Sequence, residues 1–173
     1  MKVANIVAND IVDCDDGVCV SLWVSGCPHR CKGCHNQELW DYDSGTDVDI
    51  KALQKLLASL ICKNDIYRHF SVLGGEPLCP ENIEGICQVV SYIRNKFNDK
   101  IKIYLWTGYT IEYLKDASKH PDANYTDCVE KILCNTDILI EGPYIESLRK
   151  LNLKLRGSTN QRVIKNPKDF ESV

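Results

Sequence analysis

The sequence predicts an α/β protein on a mainly parallel sheet, a partial (open) β/α barrel formed as a single domain over residues 1–173. Three observations carry that expectation. Short runs rich in β-branched and aromatic residues alternate with segments of helical apolar spacing, the pattern of parallel strands joined by right-handed crossovers. The chain has 173 residues, whereas a complete eightfold β/α barrel typically needs about 250. Strand candidates also end in loops of special composition, at the edge where open parallel sheets bind ligands.

The elements follow in order. Residues 18–26, VCVSLWVSG, read as a buried strand stopped by Gly26. Residues 47–63 place Ile50, Leu53, Leu56, Leu57, Leu60 and Ile61 at helical spacing, with Asp47 or Asp49 as the cap. HFSVLGG, 69–75, is a strand closed by two glycines. Pro80 then opens a helix with Ile83, Ile86, Val90 and Ile93 on one face, because proline is permitted in the first turn. Residues 100–108 form a strand, 110–118 and 127–135 shorter helices, and 136–144 another strand. RGSTNQRVI is polar with a short apolar end, an edge-strand candidate. The expected order is β-α-β-α-β-α-α-β, with no repeat or linker dividing it.

Composition narrows the function classes. The formal net charge is −3, without the basic excess of a duplex-DNA binder. No apolar run approaches the roughly 20 residues that span a bilayer. The start, MKVANIVANDIVDCDD, turns acidic too soon for a secretory signal. A cytoplasmic protein without nucleic-acid or membrane partners is expected. Its ten cysteines then read as reduced thiols rather than a disulfide framework.

Three of them, Cys27, Cys31 and Cys34, fall in GCPHRCKGCHN, residues 26–36, with spacing C-x3-C-x2-C. Three readings stand side by side. Each cysteine can be a small buried hydrophobe. A structural zinc site would need a fourth ligand, for which His35 and Cys79 are candidates. A 4Fe-4S cluster is normally held by four thiolates; held by three, it keeps one iron open for chemistry. Arg30 and Lys32 add positive charge beside such an anionic cluster, and Gly33 permits close backbone approach.

C-x3-C-x2-C directly after a first strand resembles the radical S-adenosylmethionine (SAM) superfamily. The resemblance implies that SAM chelates the open iron and is cleaved reductively to methionine and a 5′-deoxyadenosyl radical. It implies the partial barrel of that superfamily, with Gly33, Cys34 and His35 beside the cofactor. LGGEPL, 73–78, is similar to the segment that holds the methionyl amine, which assigns Gly74, Gly75 and Glu76 to SAM. One departure stands out: Gly33 precedes the last cysteine where an aromatic residue is common in that superfamily, and His35 follows the cysteine instead.

Longer strings narrow the likeness. VSGCPHRCKGCHNQELW, GGEPL, WTGY, EGPY and RGSTNQR occur in the order seen in activating proteins of anaerobic (class III) ribonucleoside-triphosphate reductases, from about residue 4 to 164. The resemblance implies that the partner is the large subunit of that reductase, which receives a glycyl radical, and that a low-potential donor supplies the electron. Arg156, Asn160, Gln161 and Arg162 are candidate partner contacts, with a solvated polar tail as the alternative. Thr107 is a candidate contact to the ribose or carboxylate of SAM, or part of a plain turn. Glu141 is expected at the rim with no role. Cys62 and Cys87 fit helical cores, Cys14 and Cys19 are close enough in sequence to pair under oxidation, and Cys79 is a weaker candidate for a catalytic thiol. Activation of another glycyl-radical enzyme, such as pyruvate formate-lyase, and a non-catalytic zinc module are the competing readings.

Overall fold

A computed structural model describes residues 1–170. Its elements run β1 (Lys2–Asp10), β2 (Cys19–Val24), β3 (Thr46–Asp47), α1 (Ile50–Ile61), β4 (Cys62–Lys63), β5 (Ile66–Tyr67), β6 (His69–Gly74), α2 (Ile83–Phe97), β7 (Ile103–Trp106), α3 (Ile111–Lys115), α4 (Ala123–Asn135), β8 (Ile138–Glu141) and β9 (Arg162–Lys165). Seven strands form one sheet in the order β3-β1-β2-β6-β7-β8-β9, and β4 with β5 makes a separate small hairpin. The four middle strands, β2, β6, β7 and β8, are parallel. The flanking strands pair antiparallel. The sheet is open, with β3 and β9 as its edges.

The expected α/β order and parallel centre are present, and the RVI end of the tail is an antiparallel edge strand. β1 was missed. Its burial is mostly intermediate, so it lacks the apolar run that marks a central strand. Helix starts also shifted. Asp49 caps α1 by accepting from Ala52 N at 2.7 Å. α2 begins at Ile83 rather than Pro80. The buried Asn82 amide is committed to Ser25 O and Glu76 O at 2.8 and 3.1 Å, which holds the preceding turn against the cysteine loop. α4 starts at Ala123, four residues before the apolar spacing shows it, because Asp122 caps a polar first turn.

Alternation along the strands separates two faces. Val20, Leu22, Val24, Phe70, Val72, Ile103, Leu105 and Leu139 join the helices in the main core. On the other face Cys19, Tyr104, Ile138 and Ile140 form a smaller cluster with Cys14, Trp106 and Leu155, covered by loops. No helix among the described residues is long and apolar enough to cross a membrane.

Candidate metal centre

The cysteine loop leaves β2 at its C-terminal end and folds back on itself. Gly26 N donates to Leu39 O at 2.8 Å and Cys27 N to Trp40 O at 3.1 Å, closing the stretch at its base. Inside it, Cys34 N donates to Cys31 O at 3.1 Å, and Asn36 N points at Cys34 Sγ at 3.4 Å. Cys27, Cys31 and Cys34 line one cleft. Gly74, Gly75 and Glu76 after β6, Thr107 and Gly108 after β7, and Gly142 and Tyr144 after β8 line the same cleft. The convergence expected at the C-terminal rim is therefore met by four strand ends.

The glycine pair is required by packing as well as by any ligand. Gly74 has φ +107°, and a Cβ there would lie 2.6 Å from Val24 O; one on Gly75 would lie 2.5 Å from Gly26 O. Gly75 N and Glu76 N instead donate to Val24 O and Gly26 O, both at 2.7 Å, prolonging the parallel ladder into the cysteine loop. Gly108 plays a similar part: a Cβ would meet the His29 ring at 2.4 Å.

Glu76 is 1% exposed and joins three loops. One carboxylate oxygen accepts from Leu78 N at 2.9 Å and Thr107 Oγ1 at 2.8 Å. The other accepts from His29 Nε2 at 2.9 Å and Gly108 N at 2.7 Å. Four donors fill the roughly four lone-pair sites of a carboxylate. A ligand ammonium would reach Glu76 only by displacing one of them. Thr107 also accepts from Tyr109 N at 3.1 Å, so its hydroxyl is likewise engaged inside the turn. His29, in the middle of the cysteine loop, is the residue that sequence reasoning left out of the cofactor set. Its ring packs edge-on to Tyr109, with centroids 4.6 Å apart. A histidine between two cysteines gave no signal of its partner, which is 47 positions away.

Other expectations are redistributed. His35 is exposed and Gly33 packs against Glu146, and neither lines the cleft; Asn36 does. Glu141 ends β8 at the rim, but its side chain does not line the cleft. It is 1% exposed, accepts from Ile111 N at 3.0 Å at the start of α3, and pairs with Arg162. The tail folds the loop before β9. Gln161 Oε1 accepts from Gly157 N and Ser158 N at 2.9 and 3.2 Å, Arg156 donates to Gln161 O at 2.6 Å, and Asn160 to Pro143 O at 2.7 Å.

The thiol chemistry fits a metal cluster. All ten cysteines are free. Burial, reinforced by Glu76 and Cys31, pushes the Cys27 thiol up to about 11; burial and Cys34 push Cys31 upward as well. Such crowded thiols ionise together only when cations take up their charge. Among the described residues no three His, Cys, Asp or Glu side chains converge as one mononuclear ion requires. A cubane asks for less convergence, because each thiolate takes its own iron. Cys79 is buried in a depression on the other side of the loop, and burial raises its thiol to about 12.

Comparison with known proteins supports an iron-sulfur cluster. The family model described as "4Fe-4S single cluster domain" matches residues 15–164. The anaerobic ribonucleoside-triphosphate reductase-activating protein of Vibrio cholerae is 34% identical over 145 residues, covering 84% of this chain and 86% of the relative. That of phage T4 is 35% identical over 150 residues, 87% and 85% of the two chains. That of Escherichia coli K12 is 32% identical over 155 residues, 89% and 92%. With the cluster-domain match spanning most of its length and these relatives aligned nearly end to end, the chain belongs to the family of anaerobic ribonucleoside-triphosphate reductase-activating proteins.

Proposed function

We propose that the chain is a cytoplasmic radical SAM activase that holds a 4Fe-4S cluster through Cys27, Cys31 and Cys34, and SAM at the remaining iron. The observation that carries this reading is the meeting of three thiols, a glycine pair and two further strand ends in one cleft. When bound, cluster and SAM supply the one-electron chemistry. Fed by a low-potential donor, that chemistry would act on a glycine of the anaerobic reductase, with Cys27, Cys31 and Cys34 holding the cluster and the Gly74–Gly75 backbone facing SAM.

The chain's own residues bind and orient. The three cysteines present thiolates from one loop whose base is closed by Gly26 and Cys27 amides. Gly74 and Gly75 bring bare backbone to the cleft, whose carbonyl oxygens would be available as acceptors for the methionyl ammonium. Glu76 acts mainly through the loops it ties, holding His29 of the cysteine loop against Thr107 and Gly108 of the third strand end. Tyr144 and Gln161 form the wall nearest β9.

The test is anaerobic. The chain is reconstituted with iron and sulfide, iron and labile sulfide are counted, and SAM is added with reductant, with and without the reductase. The expected result is 5′-deoxyadenosine and methionine in equal amounts, a glycyl-radical EPR signal on the reductase, and loss of both in Cys31→Ala. A chain carrying a full four-iron cluster that leaves SAM intact would sink the reading.

A further inference from the structure

Charge is unevenly distributed along this acidic chain. Residues 147–168 hold seven of its 21 cations and none of its 24 carboxylates, so the remaining residues set fourteen cations against all 24 acids. Within that stretch, residues 148–158 fold into a hairpin. Lys150 N donates to Gly157 O at 3.2 Å, Thr159 N to Leu148 O at 3.0 Å, and Arg149 bridges Ser158. Trp106 Nε1 pins it by donating to Leu155 O at 2.7 Å.

The hairpin rises beside the cleft. Gly157 packs on Tyr144, a cleft residue, and Lys32 of the cysteine loop pairs with Glu146 at its base, at 3.4 Å. Its outer surface sets exposed apolar side chains beside cations. Leu151 at the tip is 89% exposed, with Leu148 and Ile145 also exposed. Arg149, Lys150 and Lys154 are exposed, and among the described residues no carboxylate pairs with them. Arg156, Asn160, Gln161 and Arg162, the sequence candidates for partner contact, are instead engaged by groups of the chain itself.

We propose that the hairpin of residues 148–158 is the docking surface for an acidic segment with apolar side chains on the protein whose chain enters the cleft, with Arg149, Lys150 and Lys154 meeting its carboxylates and Leu148 and Leu151 its apolar groups. The inference rests on the reading that a polypeptide, the reductase, is the substrate. Cations around an exposed leucine favour a protein over a nucleic acid, because a phosphate backbone leaves the leucine no apolar counterpart. Opposite charges steer association and fix register, and their effect fades with salt over a Debye length of about 8 Å at physiological ionic strength.

The test measures affinity of the full chain for the purified reductase across a salt series. Variants are Arg149→Glu/Lys150→Glu/Lys154→Glu together, Leu151→Asp alone, and a control reversing Lys51, Lys55 and Lys63, which are exposed on α1 and β4. The hairpin reversal is expected to weaken binding on the order of 10- to 100-fold and to remove most of the salt dependence. Leu151→Asp should weaken it at every salt concentration, and the control should stay near wild type. Thermal melts of each variant separate misfolding from lost docking. Wild-type binding that the hairpin reversal leaves intact, or that the control reversal weakens equally, overturns the docking surface while the activase reading stands. Absence of wild-type binding overturns both. Tighter binding of a single-stranded oligonucleotide than of the reductase, lost in the hairpin variant, overturns the protein occupant.

Discussion

The two faces of the central sheet do different work. Toward the helices, Leu22, Phe70, Val72, Ile103 and Leu105 are fully buried among apolar neighbours. Toward the loops, the same strands present Cys19, Ser21, Ser71 and Tyr104, and their partners are polar: Ser21 donates to Asp10, Ser71 to Asp13 O, and Tyr104 to Asp15. The helix face gains its stability from area removed from water, which is non-directional. The loop face depends on hydrogen bonds whose net worth is small and whose loss is expensive. The comparison teaches why the cleft sits where it does. A rim fed by the loop face has polar groups at hand and an opening, while the helix face holds the strands still.

The largest effect should come from the helix face. Phe70→Ala empties a site with no solvent contact and is expected to destabilise the apo chain by about 4 kcal/mol. Urea unfolding under reducing conditions, with an unchanged m-value, reads it. A loss as small as that of Ser71→Ala, about 1 kcal/mol, would break the division between faces.

Glu76→Gln comes next and probes the rim where both faces end. Glutamine keeps one acceptor oxygen and turns an NH2 toward two of the four donors. The expected loss is about 3 kcal/mol. Because the His29 link to the cysteine loop goes with it, iron retained after desalting of the reconstituted protein should fall as well. A variant that loses stability but keeps wild-type iron and an unchanged cluster EPR spectrum would reduce Glu76 to a fold residue. One that keeps both would remove it from the cleft altogether.

These two faces differ in how well the sequence announces them. Buried apolar runs such as Val20, Leu22 and Val24 show in composition and spacing, so the parallel centre and the helices over it are legible. The cysteine spacing and the glycine pair are legible too, since few other uses explain three thiols in eight residues. β1 is not, because it is half-wet and pairs through backbone bonds that any sequence can make. The engagement of Glu76 is not, because its donors come from positions 29, 78, 107 and 108. The engagement of Glu141 is not, because strand alternation says which face a side chain takes but not that Arg162 waits there. Long-range polar pairing leaves no period in a sequence.

The smallest effect, and the one particular to the loop face, is a dependence on pH. Asp10 and Asp13 lie together at the start of the loop that covers this face. Burial would raise Asp10, but hydrogen bonds from Val12 N at 2.7 Å and from Asp13 and Ser21 prevail, and its carboxyl sits below the ordinary value. Asp13, 8% exposed and with one carboxyl oxygen lacking a partner, is pushed up to about 7 by burial and by the Asp10 charge. Between roughly pH 4, where an unfolded aspartate ionises, and pH 7, the folded chain therefore holds a proton that the unfolded chain has released. Stability must fall as pH rises through that window and level off above it. The total should be on the order of 2 kcal/mol, allowing for solvent screening of a group at the edge of the fold. Asp13→Asn removes the titrating proton while keeping the shape. The difference between the wild-type and variant unfolding free energies should grow in the variant's favour from pH 4 to pH 7 and stay constant to pH 8. A difference that is flat across that range would mean that Asp13 is ionised in the fold, and that water or a cation reaches the loop face well below the rim.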